Sequence, residues 1–176
     1  MSEPHTTAAH PESNHGFGGF LRDNGVLLVG PALWLISTVV FLIARGTATS
    51  ETQALRNGLV YGVGVGGLLA AIGHTVFADQ VAVSIGWPTG TGFQFEVAMA
   101  NLGVGVLGVW CGFTNERSFW LATIVVTAIY LVGAALGGHL RDMMTNENFA
   151  VNNAGFILYW DVLMPVVLIT LYAATS

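Results

Sequence analysis

After the polar opening Met1 to Asn24, the chain alternates between long apolar runs and short polar breaks. The runs are Val26 to Ala44, Gly58 to Ala78, Gly92 to Phe113, Phe119 to Gly138 and Ala154 to Ala174. Each is about the length a helix needs to cross roughly 30 Å of hydrocarbon. The breaks fall at Arg45 to Asn57, Asp79 to Thr91, Thr114 to Ser118 and His139 to Asn153. Such runs are too long for the alternating strands of a barrel, and in lipid each backbone polar group must find its partner within its own segment. The pattern predicts an all-α integral membrane bundle of five transmembrane helices. It divides the chain into a polar tail (1–24), a leading helix with its loop (25–57) and a four-helix membrane domain (58–176) that carries an interfacial segment (79–91).

Composition strengthens this reading. Hydrophobic residues make up 53% of the chain and charged ones 9%, against about a quarter charged in a soluble domain. That excludes a soluble globular enzyme, and it excludes a nucleic-acid binder, which needs a basic face. The expected partners are the lipid bilayer and other membrane subunits or a second copy of the chain. Cys111 is alone, so no internal disulfide or CxxC redox pair can form. The tail lacks a basic start followed by an apolar core and is not a secretory signal. His5, His10 and His15 recur within it at a spacing that fits neither helix nor strand, and the tail is expected to be solvated. Arg45, Arg56 and Arg117 fall on one side of the bundle, Arg22 and Arg141 on the other. The count leans the first side cytoplasmic, with the amino terminus outside.

Glycines suggest how the helices meet. Gly58, Gly62 and Gly66 repeat every four residues, as do Gly108 with Gly112 and Gly133 with Gly137. Such faces let backbones approach closely in lipid, and plain helix packing is their expected role, a glycine-lined ligand path the alternative. The segment Ala78 to Pro88 is too short to cross and ends in Trp87-Pro88. It reads as a short interfacial helix or re-entrant turn with Trp87 at headgroup level.

The chemistry concentrates in one layer. A charged residue at mid-membrane costs about 2.5–3.5 kcal/mol, so each one needs a reason. His74, Glu96, His139 and Asp161 lie near those ends of four helices that share one membrane face. At 1.5 Å rise per residue all four fall within about 12 Å of that face. Asn101 lies deeper on the third helix and could line the floor, and Asp142 could join if the fourth helix runs one turn further. Glu96, in the apolar run Phe93 to Ala100, and Asp161, within Leu158 to Leu163, are the members most in need of a partner. The loop Arg141 to Asn153 is rich in asparagine and could cap the fifth helix at Asn153 or cover the site.

Imidazole and carboxylate suit zinc, iron or manganese, so His74, Glu96, His139 and Asp161 form a possible mononuclear metal set. The Glu-x-x-His pairs of a di-iron bundle are absent. The same groups could bind a quinone headgroup or relay protons. Haem on His74 and His139 is disfavoured. Simple pairing that fixes the register of the bundle accounts for the layer equally well.

Ile85-Gly86-Trp87-Pro88, Phe95-Glu96-Val97-Ala98, Asn101-Leu102-Gly103, Gly138-His139 and Asn153-Ala154-Gly155 resemble an uncharacterised family of small bacterial multi-pass membrane proteins, itself distantly similar to the DoxX-like group. The resemblance covers Gly73 to Ala174. It implies a four-helix core, here with an extra leading helix, in a bacterial inner membrane. It also implies an accessory or anchor subunit of a membrane complex, respiratory or otherwise concerned with electron transfer. The alternatives are a stand-alone membrane enzyme with a metal or quinone site, or a small proton-coupled transporter using Glu96 with His74.

Overall fold

The computed structural model describes residues 50–175, together with Leu35, Val39 and Ile43, which are helical and exposed. The tail histidines and the rest of the leading run Val26 to Ala44 lie outside the described residues. All regular structure among the described residues is helical, and four helices are long and apolar enough to span a membrane. They are α1 (Glu51–Val76), α3 (Phe93–Trp110), α4 (Arg117–Asn146) and α5 (Val151–Ala174). Between α1 and α3 lies the short α2 (Ala78–Ile85).

The apolar runs locate the helices and misjudge their ends. α1 begins in the stretch Ser50–Asn57, which the polar pattern assigns to a loop, because Leu55 and Asn57 are buried there. α4 continues through Arg141–Asn146, past the last apolar turn. Hydropathy registers the hydrocarbon stretch of a helix and is blind to polar turns beyond it. In α5, Gly155 separates the turn Val151–Ala154 from the long segment Phe156–Ala174.

α1 and α4 each contain a run of wider π turns, Gly58–Val65 and Ala134–Leu140. These runs shift the register of the small-residue faces. Across the α1–α3 contact, a Cβ on Gly64 or Gly67 would meet the backbone of α3 at Gly108 and Gly105, and the reverse also holds. The close approach therefore uses Gly64, Gly67, Gly105 and Gly108. Gly62 instead faces the end of the Met164 side chain, and Gly66 has only the Tyr61 carbonyl in reach. Gly133 and Gly137 have nothing within 4 Å of a built Cβ. An expectation based on 3.6 residues per turn fails once the turn widens.

Packing is tightest at the end away from α2. There Leu59, Val63, Val104, Ile124, Met164 and Leu168 join one buried cluster. Two arginines tie that end to helix C-termini, where carbonyls lack helical donors. Arg56 donates to the Gly112 carbonyl and to Asn115 Oδ1 at 3.4 Å. Arg117 donates to the Tyr172 carbonyl at 3.2 Å and the Thr175 carbonyl at 2.9 Å, and its guanidinium lies 4.4 Å from the Tyr172 ring centre. At the other end the helices part.

Replacing Gly105 with Leu should destabilise the bundle by about 3 kcal/mol or more, because backbone leaves no room. Gly133→Ala should leave stability unchanged or raise it by up to about 1 kcal/mol. Unfolding titrations in mixed detergent check both. Equal losses at the two positions would contradict the α1–α3 contact.

Candidate functional site

Where the helices part they enclose a cavity of about 1210 Å³ among α1, α2, α3, α4 and α5. Its wall is mostly apolar and includes Gly133, Gly137 and Gly138, which therefore front open space rather than a neighbouring helix. Ile72, Phe77, Phe93 and Ile129 belong to the lining and are exposed.

His74, Glu96, Asn101, His139 and Asp161 all line this cavity. They do not form one cluster. Among the described residues, no group of three or more His, Cys, Asp or Glu side chains converges closely enough to hold a metal ion. The set His74, Glu96, His139 and Asp161 thus shares a depth without sharing a centre, since rotation about each helix axis separates the side chains. A mononuclear metal site does not fit this geometry.

His139 and Asp161 do meet. His139 Nε2 lies 3.8 Å from Asp161 Oδ2, and both side chains are buried. On the other edge of the ring, Nδ1 is 2.8 Å from Asn153 Oδ1. The amide of Asn153 is oriented by its own donation to the Asn148 carbonyl at 2.7 Å, so oxygen is the atom that faces the ring. Nδ1 therefore carries a hydrogen, and Nε2 is the nitrogen that faces the Asp161 carboxyl group. A lone pair on Nε2 facing an ionised Asp161 in an apolar wall would be costly, and a single proton on either atom removes that cost. Both His139 nitrogens are thus engaged, and haem ligation would have to break this arrangement.

Local sequence explains the position of the pair. His139 falls within the π turns Ala134–Leu140 and is buried. Asp161 lies one turn before Pro165, which is buried inside α5. Proline has no N–H to return to the carbonyl four residues back, which is that of Asp161.

Above the pair is a polar cover. Trp87 lies nearly parallel to the His139 ring, with centroids 6.3 Å apart and planes at 10°. Its Nε1 donates to Asp142 Oδ2 at 3.4 Å. Trp87 is half-buried over the site. Asp142 also accepts from Asn146 and Asn148, each at 2.6 Å. It joins the cover, not the cavity lining. Asn148 further donates to the Ile85 carbonyl at 2.8 Å and presses against Gly86, whose φ of 83° ends α2. A side chain there would be strained and would strike Asn148. Asn153 makes no cap; α5 begins at Val151 with no side-chain cap, and the buried amide serves His139 instead.

The other expected members behave differently. Glu96 is exposed on the wall, not buried in the apolar run. The buried face of α3 is Gln94, Ala98, Asn101, Gly105 and Gly108, and position 96 lies off that stripe. His74 Nδ1 is 2.6 Å from Gln94 Oε1. Asn101 Nδ2 donates to the Val97 carbonyl at 2.9 Å and to the Tyr130 hydroxyl at 2.7 Å. Gln94, Tyr130, Asn153 and Thr127 were missed or misassigned by sequence reasoning. The period of the stripe containing Asn101 could have found Gln94.

The chain matches the Family of unknown function (DUF6790) over residues 26–176 and belongs to it. That match takes in the leading run, which the resemblance over Gly73 to Ala174 leaves out. No curated protein and no solved structure matches the chain.

Asn153→Ala should cost about 1–3 kcal/mol, since it strips the acceptor from a buried N–H. Asn146→Ala, at an exposed position, should stay within about 0.5 kcal/mol of the parent. Thermal unfolding in detergent checks the pair. A neutral Asn153→Ala would contradict the network.

Proposed function

We propose that the chain is a membrane protein that binds a membrane-soluble ligand in the cavity and couples this binding to the proton of His139 and Asp161. In its fullest form this is a small proton-coupled carrier. The observation that carries the reading is the buried pair on the cavity wall, whose Nε2 and Oδ2 lie 3.8 Å apart. The pair borders a space large enough for a ligand. The proton site is therefore His139 with Asp161, in place of Glu96 with His74.

A quinone-type headgroup is the second reading. Tyr130 accepts from Asn101, so its own hydroxyl hydrogen is free to meet a carbonyl at the cavity wall.

The role of accessory or anchor subunit receives less support. Gly62, Gly64, Gly67, Gly105 and Gly108 are used inside the chain, and Gly133 and Gly137 border the cavity. A complex would have to form through other surfaces. For orientation we retain the arginine count, which puts Arg56 and Arg117 on the cytoplasmic side of a bacterial inner membrane and the cavity toward the outer side.

Infrared difference spectra of the purified protein across a pH titration should show a carboxylic acid band that disappears in Asp161→Asn and shifts in His139→Gln. The band should remain in Asp142→Asn. Its survival in Asp161→Asn would show that the proton lies elsewhere and would remove the basis of this proposal.

A further inference from the structure

The charges on the cavity wall bear on which ligand enters, an inference that rests on the proton-coupled cavity proposed above. Glu96 and Asp161 are both on the wall, and no arginine is among the described lining residues. The chain has no lysine. Arg56 and Arg117 are committed to carbonyls at the opposite end, and Arg141 is exposed outside the lining. Among the described residues, an anionic headgroup would leave water to face two carboxyl groups with no arginine to receive it. A cation would gain a partner.

Two further features suit a cation with bulky apolar groups. Trp87, Phe93, Tyr130 and Trp160 present aromatic surface to the cavity, and aromatic faces attract cations, most strongly where water is excluded. Thr127 adds an unused polar atom. Thr75, Thr123, Thr145 and Thr170 each return their hydroxyl to the carbonyl four residues back. Thr127 Oγ1 does not, and it has no partner although the residue is only 1% exposed. Thr127 is on the cavity wall. Its dipole is an uncommitted polar group just behind the cavity wall.

We propose that the cavity binds a lipophilic cation, an amine or onium ion carrying bulky apolar groups, with Glu96 as its first counter-charge and the proton of the His139–Asp161 pair released in exchange. The charge balances: one positive ligand enters, one proton leaves, and the pair becomes the anion that the ligand neutralises. The titratable groups facing the pair and the cavity are His74 from α1, Glu96 from α3, Tyr130 from α4, and Asp142 from the cover. From α2 the cavity receives Gln80 and Ser84, which do not titrate.

Tetraphenylphosphonium and tetraphenylborate have the same shape and opposite charge, and they are the probes of choice. Equilibrium dialysis against the full chain in mild detergent should show saturable binding of the phosphonium and binding of the borate at least about tenfold weaker. Glu96→Gln, an exposed position that should not disturb folding, should weaken phosphonium binding about tenfold, which is about 1.4 kcal/mol. Glu116→Gln, at the opposite end, should leave it unchanged. In weakly buffered solution a pH indicator should register proton release on phosphonium binding, absent in Asp161→Asn. If that variant does not fold, His139→Gln serves, with release reduced or lost.

Borate binding as tight as phosphonium binding, or phosphonium binding indifferent to Glu96→Gln, would overturn the charge assignment. If both ions bind and release a proton through Asp161, the proton-coupled cavity stands and the cation inference falls. Phosphonium binding with proton release intact in Asp161→Asn would remove the pair from the coupling and overturn the exchange. Absence of binding by either ion would overturn the inference outright.

Discussion

A carboxyl group 4% exposed within a membrane helix is the constraint from which most of this structure follows. Hydrocarbon cannot solvate Asp161, so the protein must either hold a proton on it or set a cation beside it. The fold sets His139 Nε2 3.8 Å from that carboxyl group. Fixing that imidazole requires Asn153, and fixing the Asn153 amide requires the Asn148 carbonyl. Asn148 in turn reaches the end of α2 and the carboxylate of Asp142. The polar segment between α4 and α5 is thus organised inward, as the scaffold of one ring.

The far half of the bundle makes this possible by a division of labour. Gly64 and Gly67 lie against Gly105 and Gly108 with no side chain between the helices, and the apolar cluster fills the rest. Arg56 and Arg117 close the helix ends there. With close packing at that end, the near end can splay and leave a cavity bordered by His139 and Asp161. The π turns Gly58–Val65 and Ala134–Leu140 both contribute to the cavity wall. Widened turns of this kind are frequent at functional sites.

Much of the fold was legible in the sequence, because hydrocarbon thickness leaves a strong imprint on run length. Four of the expected spans appear as helices, and α2 appears as the short non-crossing helix. The layer of His74, Glu96, His139 and Asp161 was legible too, since depth follows from counting residues along alternating helices. Rotation was not. Counting places Glu96 and Asp161 at similar depths but does not reveal that one lies on an exposed flank and the other on a buried face. The π turns add a second loss, for they change which glycines share a face and cannot be read from composition. The role of Asn153 was hidden for another reason: an asparagine before a helix suggests a cap, and only the fold brings His139 within its reach.

The central claim is that one proton resides between His139 Nε2 and Asp161, with Nδ1 held by Asn153. Solid-state nitrogen NMR of histidine-labelled protein in bilayers reads the two ring nitrogens directly. The account predicts a protonated Nδ1 at every pH at which the fold persists, and an Nε2 signal that titrates together with the carboxyl carbon of Asp161. A neutral ring protonated at Nε2 with a bare Nδ1, or an Nε2 signal indifferent to Asp161→Asn, would contradict it.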